Sequence, residues 1–227
     1  MRVLLKFSGE VLGGKTGLGL DAEALAHFAN LIKKIHQSGH ELAIVTGGGN
    51  IMRGKFASTW DRSYADQMGM MATVINSMAL AEALRIAGVD ALAMSAVPSM
   101  ASDYCISKAR NYLAAGTVVL VAGGTSNPYF TTDSAAALRA LELKADLLLK
   151  ATKVDGIYDS DPHKNPNAKR FSRISFDEVL EQKLAVMDLT AMTLCRENGL
   201  SLRVCSVDDL GEFDEVISSE QKSTLVK

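Results

Sequence analysis

The chain is short of cysteine, of aromatic residues and of long apolar runs. Its three cysteines, Cys105, Cys195 and Cys205, form no CxxC pair, and its four histidines, His27, His36, His40 and His163, form no HExxH. That spacing argues against a zinc site and a disulfide framework. It reads instead as small core hydrophobes in a reducing, cytoplasmic setting. No apolar run approaches the ~18 residues needed to cross a bilayer. Lys6 breaks the apolar N-terminus, which therefore does not read as a secretory signal. Excess positive charge is missing too. A net charge of −2 argues against a nucleic-acid partner held by a broad basic face. It leaves room for phosphate binding by a few Lys, Arg and backbone N–H groups. What the chain does have is 48% hydrophobic residues, 6% of all residues aromatic, and 22% charged residues across 227 positions. Disorder is excluded by that apolar fraction, and a sizeable core is expected.

Strand and helix patterns alternate. Val3 to Phe7 reads as a strand, followed by a glycine-rich loop from Gly9 to Gly19. Asp21 suits an N-cap, and Leu25, Phe28, Ala29, Ile32 and Ile35 mark one helical face. Further strands are expected at 42–45, 91–94, 118–122, 146–150, 202–205 and 224–226, with helices at about 66–87, 103–114 and 134–144. Ser175 with Glu178 forms a capping box, and Asp188 caps a helix ended by Gly199. The alternation means βαβ units: an α/β fold, a three-layer αβα sandwich with a mainly parallel central sheet. No linker divides the chain, so residues 1–227 read as one domain.

Ligands of open α/β sheets bind at the carboxyl ends of the strands. The residues there are Ser8-Gly9, Gly47 to Asn50, Ser95 to Pro98, Gly123 to Asn127 and Ala151 to Asp155. Loops so poor in side-chain bulk let backbone N–H groups approach oxyanions, which points to a phosphate-handling site.

Two motifs invite a different reading and lack its context. Gly9 to Thr16 matches GxxxxGK[ST], but Gly17 and Gly19 follow at once, where a P-loop needs a helix to start. Gly17-Leu-Gly19-Leu-Asp-Ala22 imitates a dinucleotide fingerprint. The second strand ends in Thr46-Gly47, however, without the acid that would hold a ribose.

The strand-end segments Lys6-Phe7-Ser8-Gly9, Gly47-Gly48-Gly49-Asn50 with Arg53, and Lys150 to Pro162 together resemble the amino acid kinase family. Asp66 to Thr73, Asn127 to Ala136 and Val186-Met-Asp188-Leu narrow the resemblance to the branch that phosphorylates UMP. Sibling kinases acting on carboxylates are not expected to share the Asn127 to Asp133 loop. The resemblance implies the amino acid kinase fold, with an acceptor part at about 1–145 and an ATP part at about 146–227. It implies ATP-dependent conversion of UMP to UDP, with Mg²⁺ carried by ATP and no dedicated protein metal site.

Roles follow by resemblance. Lys6 reaches the transferring phosphoryl group, and Phe7, Ser8, Gly9, Gly49, Arg53, Thr152, Tyr158 and Asp161 lie on the ATP side. Lys150 and Lys153, in the same loop as Thr152, help neutralise phosphates. Gly48, Asp66, Thr125, Ser126, Asn127, Pro128, Tyr129, Phe130, Thr131 and Thr132 lie on the UMP side. Asp66 either accepts from ribose hydroxyls or caps the long helix. Asp133 either orients lysines or caps the helix at Ser134. Asp188 is either a catalytic aspartate or an N-cap. Ser126 stands where the family usually has Gly, at little cost unless the backbone needs φ > 0. The resemblance also implies a homohexamer in the cytoplasm with UTP as inhibitor. Ala81, Leu92, Thr117 and Ile106 occupy positions given to basic and aromatic residues of a GTP site, leaving Arg85, so a weak GTP response is expected.

Overall fold

Val3, Leu4, Leu5 and Phe7 have no exposed surface, and neighbouring strands are buried as completely. Strands covered on both faces are the mark of a parallel sheet sandwiched by helices. The computed structural model describes residues 1–52, 60–184 and 186–227. Among them the strands are Arg2–Phe7 (β1), Glu41–Thr46 (β2), Ala91–Ser95 (β3), Ser102–Asp103 (β4), Val118–Ala122 (β5), Leu147–Thr152 (β6), Ile157–Tyr158 (β7), Arg170–Phe171 (β8), Arg173–Ile174 (β9), Ser201–Ser206 (β10) and Ser223–Val226 (β11). The helices are Ala22–Gln37 (α1), Arg62–Ile86 (α2), Ile106–Ala114 (α3), Thr132–Leu143 (α4), Phe176–Glu181 (α5), Leu189–Glu197 (α6) and Phe213–Ser218 (α7).

The main sheet runs β4-β3-β5-β2-β1-β6-β10-β11-β9 and is parallel except where β11 meets β10. β7 and β8 form a separate antiparallel ribbon. The chain lays β2, β5 and β3 on one side of β1, then crosses to place β6 and β10 on the other. β1 is therefore the switch point, where loops diverge and leave a crevice at the strands' carboxyl ends.

Alternation along the strands separates two cores. Val3, Leu5 and Phe7 join Phe28, Ile32, Leu80 and Phe213 under α1, α2 and α7. Leu4 and Leu148 join Ala136, Ala140, Leu113 and Cys195 under α3, α4 and α6. Side chains two residues apart share a face. Lys6 and Lys150 therefore leave the sheet on the side of Leu4 and Leu148, towards α4.

Several helix starts differ from the sequence expectation. α2 begins four residues earlier than Asp66; its N-cap is Asp61, whose carboxylate accepts from Ser63 and Tyr64 N–H. Asp66 lies in the second turn, so its capping role is overturned. α4 is capped by Thr131, which accepts from Asp133 N–H at 3.0 Å and Ser134 N–H at 3.3 Å. Asp133 is already helical and is not the cap. Asp103 belongs to β4, and α3 starts at Ile106. Asp21, Ser175 with Glu178, and Asp188 cap as expected. The glycine loop forms 3₁₀ turns over Gly9–Thr16, with Lys15 exposed, and no helix starts at Lys15-Thr16. Cys195 and Cys205 lie in the core, where burial pushes their thiols up to about 12. Cys105 is only partly covered, which corrects its assignment to the core.

Candidate active site

Register builds the centre of the site. In the parallel β1–β6 ladder, Lys6 is the Cα partner of Lys150. Two like charges side by side are unfavourable unless something lies between them. Asp133, in the first turn of α4, supplies it. Its Oδ1 sits 2.5 Å from Lys6 Nζ and its Oδ2 2.7 Å from Lys150 Nζ. Lys150 also donates to the Val186 carbonyl at 2.6 Å. All three side chains are largely shielded from water. Desolvation holds the Lys150 ammonium below the ordinary lysine range, against the pull of Asp133 and with the push of Lys6. The trio carries one net positive charge and is poised for an anion.

Two cavities flank it. One, of about 220 Å³, lies between the Gly48-Gly49 turn, the first half of α2 and the loop entering α4. Gly48, Asp66, Thr125, Asn127, Phe130, Thr131 and Thr132 line it, as expected for the acceptor side. Gly49, expected on the ATP side, lines this cavity too. A Cβ on Gly48 would fall 2.8 Å from the Gly69 carbonyl, so only glycine lets the turn rest on α2. A Cβ on Gly49 would meet no atom of the described residues within 4 Å. Gly69, Met70 and Thr73 of α2 also line this cavity. Thr73 also accepts from Gly123 N–H at 2.9 Å, tying α2 to the loop that leaves β5.

Ser126, Pro128 and Tyr129 are not among the residues lining this cavity. Ser126 has φ 72°, so the condition under which a serine is costly there is met. Its hydroxyl donates to the Ala96 carbonyl at 2.9 Å, which offsets part of that cost. Tyr129 also has φ 72°. Its N–H donates to Asp66 Oδ2 at 2.7 Å, and its ring lies 4.8 Å from the Arg62 guanidinium.

The second cavity, of about 470 Å³, opens beyond Lys150. Thr152, Tyr158 and Asp161 line it with an apolar wall of Ile157, Leu184, Val186 and Val204. The Tyr158 hydroxyl donates to Asp155 at 2.6 Å, which raises its pKa. Backbone donation from His163 holds the Asp161 carboxyl below the usual range. Lys153 is exposed and pairs with Glu10 at 3.1 Å.

The remaining expectations separate. Phe7 points into the core, its ring 4.8 Å from Phe28, so its side chain is not available to a ligand. Ser8 is exposed at the crevice, and Gly9 is buried beside Gly47. Arg53 lies outside the described residues. Asp188 caps α6 through Ala191 N–H at 2.9 Å and accepts from the Ser134 hydroxyl at 2.8 Å and from the Thr131 hydroxyl. Burial opposes its ionisation, but these donors prevail and hold the carboxyl below the usual range. It ties the starts of α4 and α6 together and lines neither cavity. Ala81 and Thr117 are buried, so these two positions offer no surface to an effector. Arg85 is exposed and pairs with Glu82 at 3.1 Å.

Residues 1–206 match the profile of the Amino acid kinase family. A uridylate kinase of Magnetococcus marinus is 48% identical over 230 residues, spanning 100% of this chain and 95% of the relative. One of Bacteroides thetaiotaomicron is 48% identical over 229 residues, spanning 99% and 97%. Among solved structures, the UMP kinase of Ureaplasma parvum matches with a TM-score of 0.93 at 38% identity, covering 100% of this chain and 98% of that one. The UMP kinase of Bacillus anthracis matches at 0.94 and 35% identity, covering 100% and 95%.

Proposed function

The chain belongs to the Amino acid kinase family, and on that premise we propose that it transfers the γ-phosphoryl group of ATP to UMP, giving ADP and UDP for pyrimidine nucleotide synthesis. The observation that carries this reading is the Lys6–Asp133–Lys150 cluster, with Lys150 on the wall of the larger cavity and Asp133 next along the chain to Thr132 on the wall of the smaller. UMP occupies the smaller cavity, with Asp66 facing the ribose and Gly48 and the Thr131–Thr132 start of α4 facing the phosphate. The positive end of the α4 dipole favours an anion there. ATP occupies the larger cavity, with the adenine against Ile157, Val186 and Val204 and the polar contacts made by Thr152, Tyr158 and Asp161. The triphosphate then runs back past Lys150 towards Lys6, Ser8, Gly9 and Gly49. Arg53 is retained on the ATP side from the resemblance.

In the reaction a UMP phosphate oxygen forms a bond to the γ-phosphorus as the bond from that phosphorus to the β,γ-bridging oxygen breaks. The electron pair leaves on ADP. The acceptor is already ionised, so no strong general base is required. Catalysis rests on placement and charge neutralisation. Lys6 and Lys150 neutralise the equatorial oxygens, and Asp133 holds the two ammoniums on one carboxylate. Asp188 acts on the site through Thr131 and Ser134. Both Asp133 oxygens are taken by lysines, and the described residues contain no group of three or more His, Cys, Asp or Glu placed to hold a metal. That donor set fits Mg²⁺ held chiefly by the nucleotide's own phosphates. When bound with the nucleotide it would supply charge neutralisation to the phosphates.

The chain works as a single domain, its acceptor part at about 1–145 and its ATP part at about 146–227. UTP inhibits by occupying the UMP cavity, the GTP response is weak, and the enzyme assembles as a homohexamer in the cytoplasm, with no nucleic-acid or membrane partner. Among the described residues no helix is long and apolar enough to cross a membrane.

ADP release with ATP and Mg²⁺ against UMP, CMP, dUMP, aspartate, acetylglutamate and carbamate tests the reading. Turnover with UMP that falls on the order of 10²–10³-fold in Lys6→Ala is expected. Turnover with an amino acid, or tight nucleotide binding without turnover, overturns it.

A further inference from the structure

Asn50 follows the glycine turn after β2, and Asn76 sits in the middle of α2. They meet in the interior, 3% and 0% exposed. Their amides face each other reciprocally: Asn50 Nδ2 donates to Asn76 Oδ1 at 2.9 Å, and Asn76 Nδ2 donates to Asn50 Oδ1 at 2.7 Å. The second proton of each amide is also used. Asn50 Nδ2 donates to the Gly19 carbonyl at 2.6 Å, and Asn76 Nδ2 to the Gly47 carbonyl at 2.7 Å. Both amides are thus satisfied without a charged partner. A buried network closed in this way resists displacement, because any shift strands a polar group away from water.

The pair gathers three stretches of chain. Asn50 also accepts from Gly19 N–H through its own carbonyl at 2.8 Å, so Gly19 is held on both sides. The backbone of Gly9 rests directly on the amides. A Cβ there would lie 2.7 Å from Asn76 Nδ2 and closer still to Asn50 Oδ1 and the Gly47 carbonyl. Gly47 N–H donates to the Phe7 carbonyl at 2.9 Å. The loop leaving β1, its far end at Gly19 and the glycine turn leaving β2 therefore close on one point of α2. Thr73, on the wall of the acceptor cavity, is less than one helical turn away.

We infer that Asn50 and Asn76 are positioning residues for phosphoryl transfer, fixing the β1 loop beside Lys6 at a set distance from the Gly48-Gly49 turn of the acceptor cavity. The inference rests on the kinase reading above. Neither amide touches substrate; both act through Gly9, Gly19 and Gly47. In-line transfer is sensitive to such placement, since a shift on the order of 1 Å costs about 100-fold in rate.

The test uses Asn76→Ser and Asn50→Ser in the full chain, with two readouts. The first is kcat and KM for ATP and UMP per mole of folded protein. The expected result is a fall in kcat on the order of 100-fold, with both KM values within about threefold of the parent, the sign of lost placement rather than lost binding. The second is backbone hydrogen exchange without ligand. Segments 8–20 and 46–52 are expected to lose protection together in either variant, while β5 keeps its own. Unchanged kcat per folded molecule, a rise in one KM alone, or loosening of only one segment overturns the inference. If the parent enzyme does not phosphorylate UMP, the proposed function fails, and the exchange measurement still decides whether the pair couples the two loops. Should Asn76→Ser not fold, Asn50→Ser, which leaves the Asn76–Gly47 bond in place, decides alone.

Discussion

Lys6 and Lys150 are Cα partners across the parallel β1–β6 ladder, and both ammoniums close on one carboxylate, that of Asp133. On the proposed mechanism the two lysines act on one phosphoryl group. Replacing either by alanine is expected to lower kcat on the order of 10²–10³-fold, the usual loss for one donor aimed at developing charge. The double variant should lose little more than the worse single one, because the residues act as a unit. Steady-state kinetics of the four proteins decide it; fully additive losses would mean independent roles.

Lys150 gives the site a pH signature. Desolvation depresses its pKa, so the free enzyme loses this proton at lower pH than an ordinary lysine would. kcat/KM for ATP should therefore fall on the alkaline side below the lysine range, and Lys150→Arg should move that limb upward. For stability the sign is the reverse. The folded state binds the proton less well than the unfolded chain, so the penalty is fully present at low pH. It is relieved as pH rises from the folded pKa towards the unfolded one. Activity loss and stability gain in the same pH window form the pattern to look for. An alkaline limb that stays put in Lys150→Arg assigns the titration elsewhere.

Gly9 and Gly49 should separate folding from binding. A methyl on Gly9 is driven into the Gly47 carbonyl and the Asn50–Asn76 pair, with backbone on one side and no slack. Gly9→Ala is expected to destabilise by about 1–3 kcal/mol, the usual cost of overpacking. Gly49→Ala meets no atom of the described residues and should leave the melting temperature nearly unchanged while raising KM for nucleotide. Thermal melts and Michaelis constants of both variants check the contrast. Equal melting losses would place Gly49 in the scaffold.

Much of this was legible in the chain, for physical reasons that also mark the limit. Segments such as Val118–Ala122 are apolar on both faces, and no other surroundings suit them. The strand-end glycines announce themselves because a crowded backbone tolerates little else. Helix starts were less legible where several capping residues crowd together. Thr131, Thr132 and Asp133 all suit an N-cap, and tertiary packing chooses Thr131. Asp66 resembles a cap only while Asp61 is overlooked. Lys150 could be placed near phosphates, but not opposite Lys6, because register between strands 144 residues apart leaves no local trace. Asn76 lay hidden among apolar helix residues; a polar residue on a buried helix face was the available signal.

Asp188 should reveal itself on acidification. Its folded pKa is held down by Thr131, Ala191 and Ser134 against the effect of burial. It therefore contributes stability above its unfolded pKa and loses it as pH falls through the folded one. Asp188→Asn keeps an acceptor for the α6 cap and removes the charge. Its melting temperature should lie below that of the parent near neutrality and converge with it below about pH 4. A constant gap across that range would assign the difference to geometry instead. The loss at neutrality should be about 1 kcal/mol, as for a helix cap, with kcat reduced because Thr131 loses its anchor.

Asp66 offers the sharpest separation of the two cavities. Its Oδ2 is occupied by Tyr129 N–H at 2.7 Å and flanked by Arg62 at 3.7 Å, while the residue itself lines the smaller cavity alone. One carboxylate thus binds the acceptor loop and faces the expected ribose. Asp66→Asn preserves size and an acceptor and removes the charge attraction to Arg62, which at so exposed a pair is worth under about 1 kcal/mol. The fold should survive. Hydrogen bonds to a charged acceptor are worth about 1.5–3 kcal/mol, so losing that charge should raise KM for UMP by roughly tenfold or more, with KM for ATP unchanged. Tyr129→Phe keeps the N–H and the ring under Arg62 and should change neither constant. If KM for ATP rises with that for UMP, the carboxylate supports the site as a whole. If KM for UMP rises alone, the smaller cavity is the acceptor site, and the direction of phosphoryl transfer across Lys6 and Lys150 follows from it.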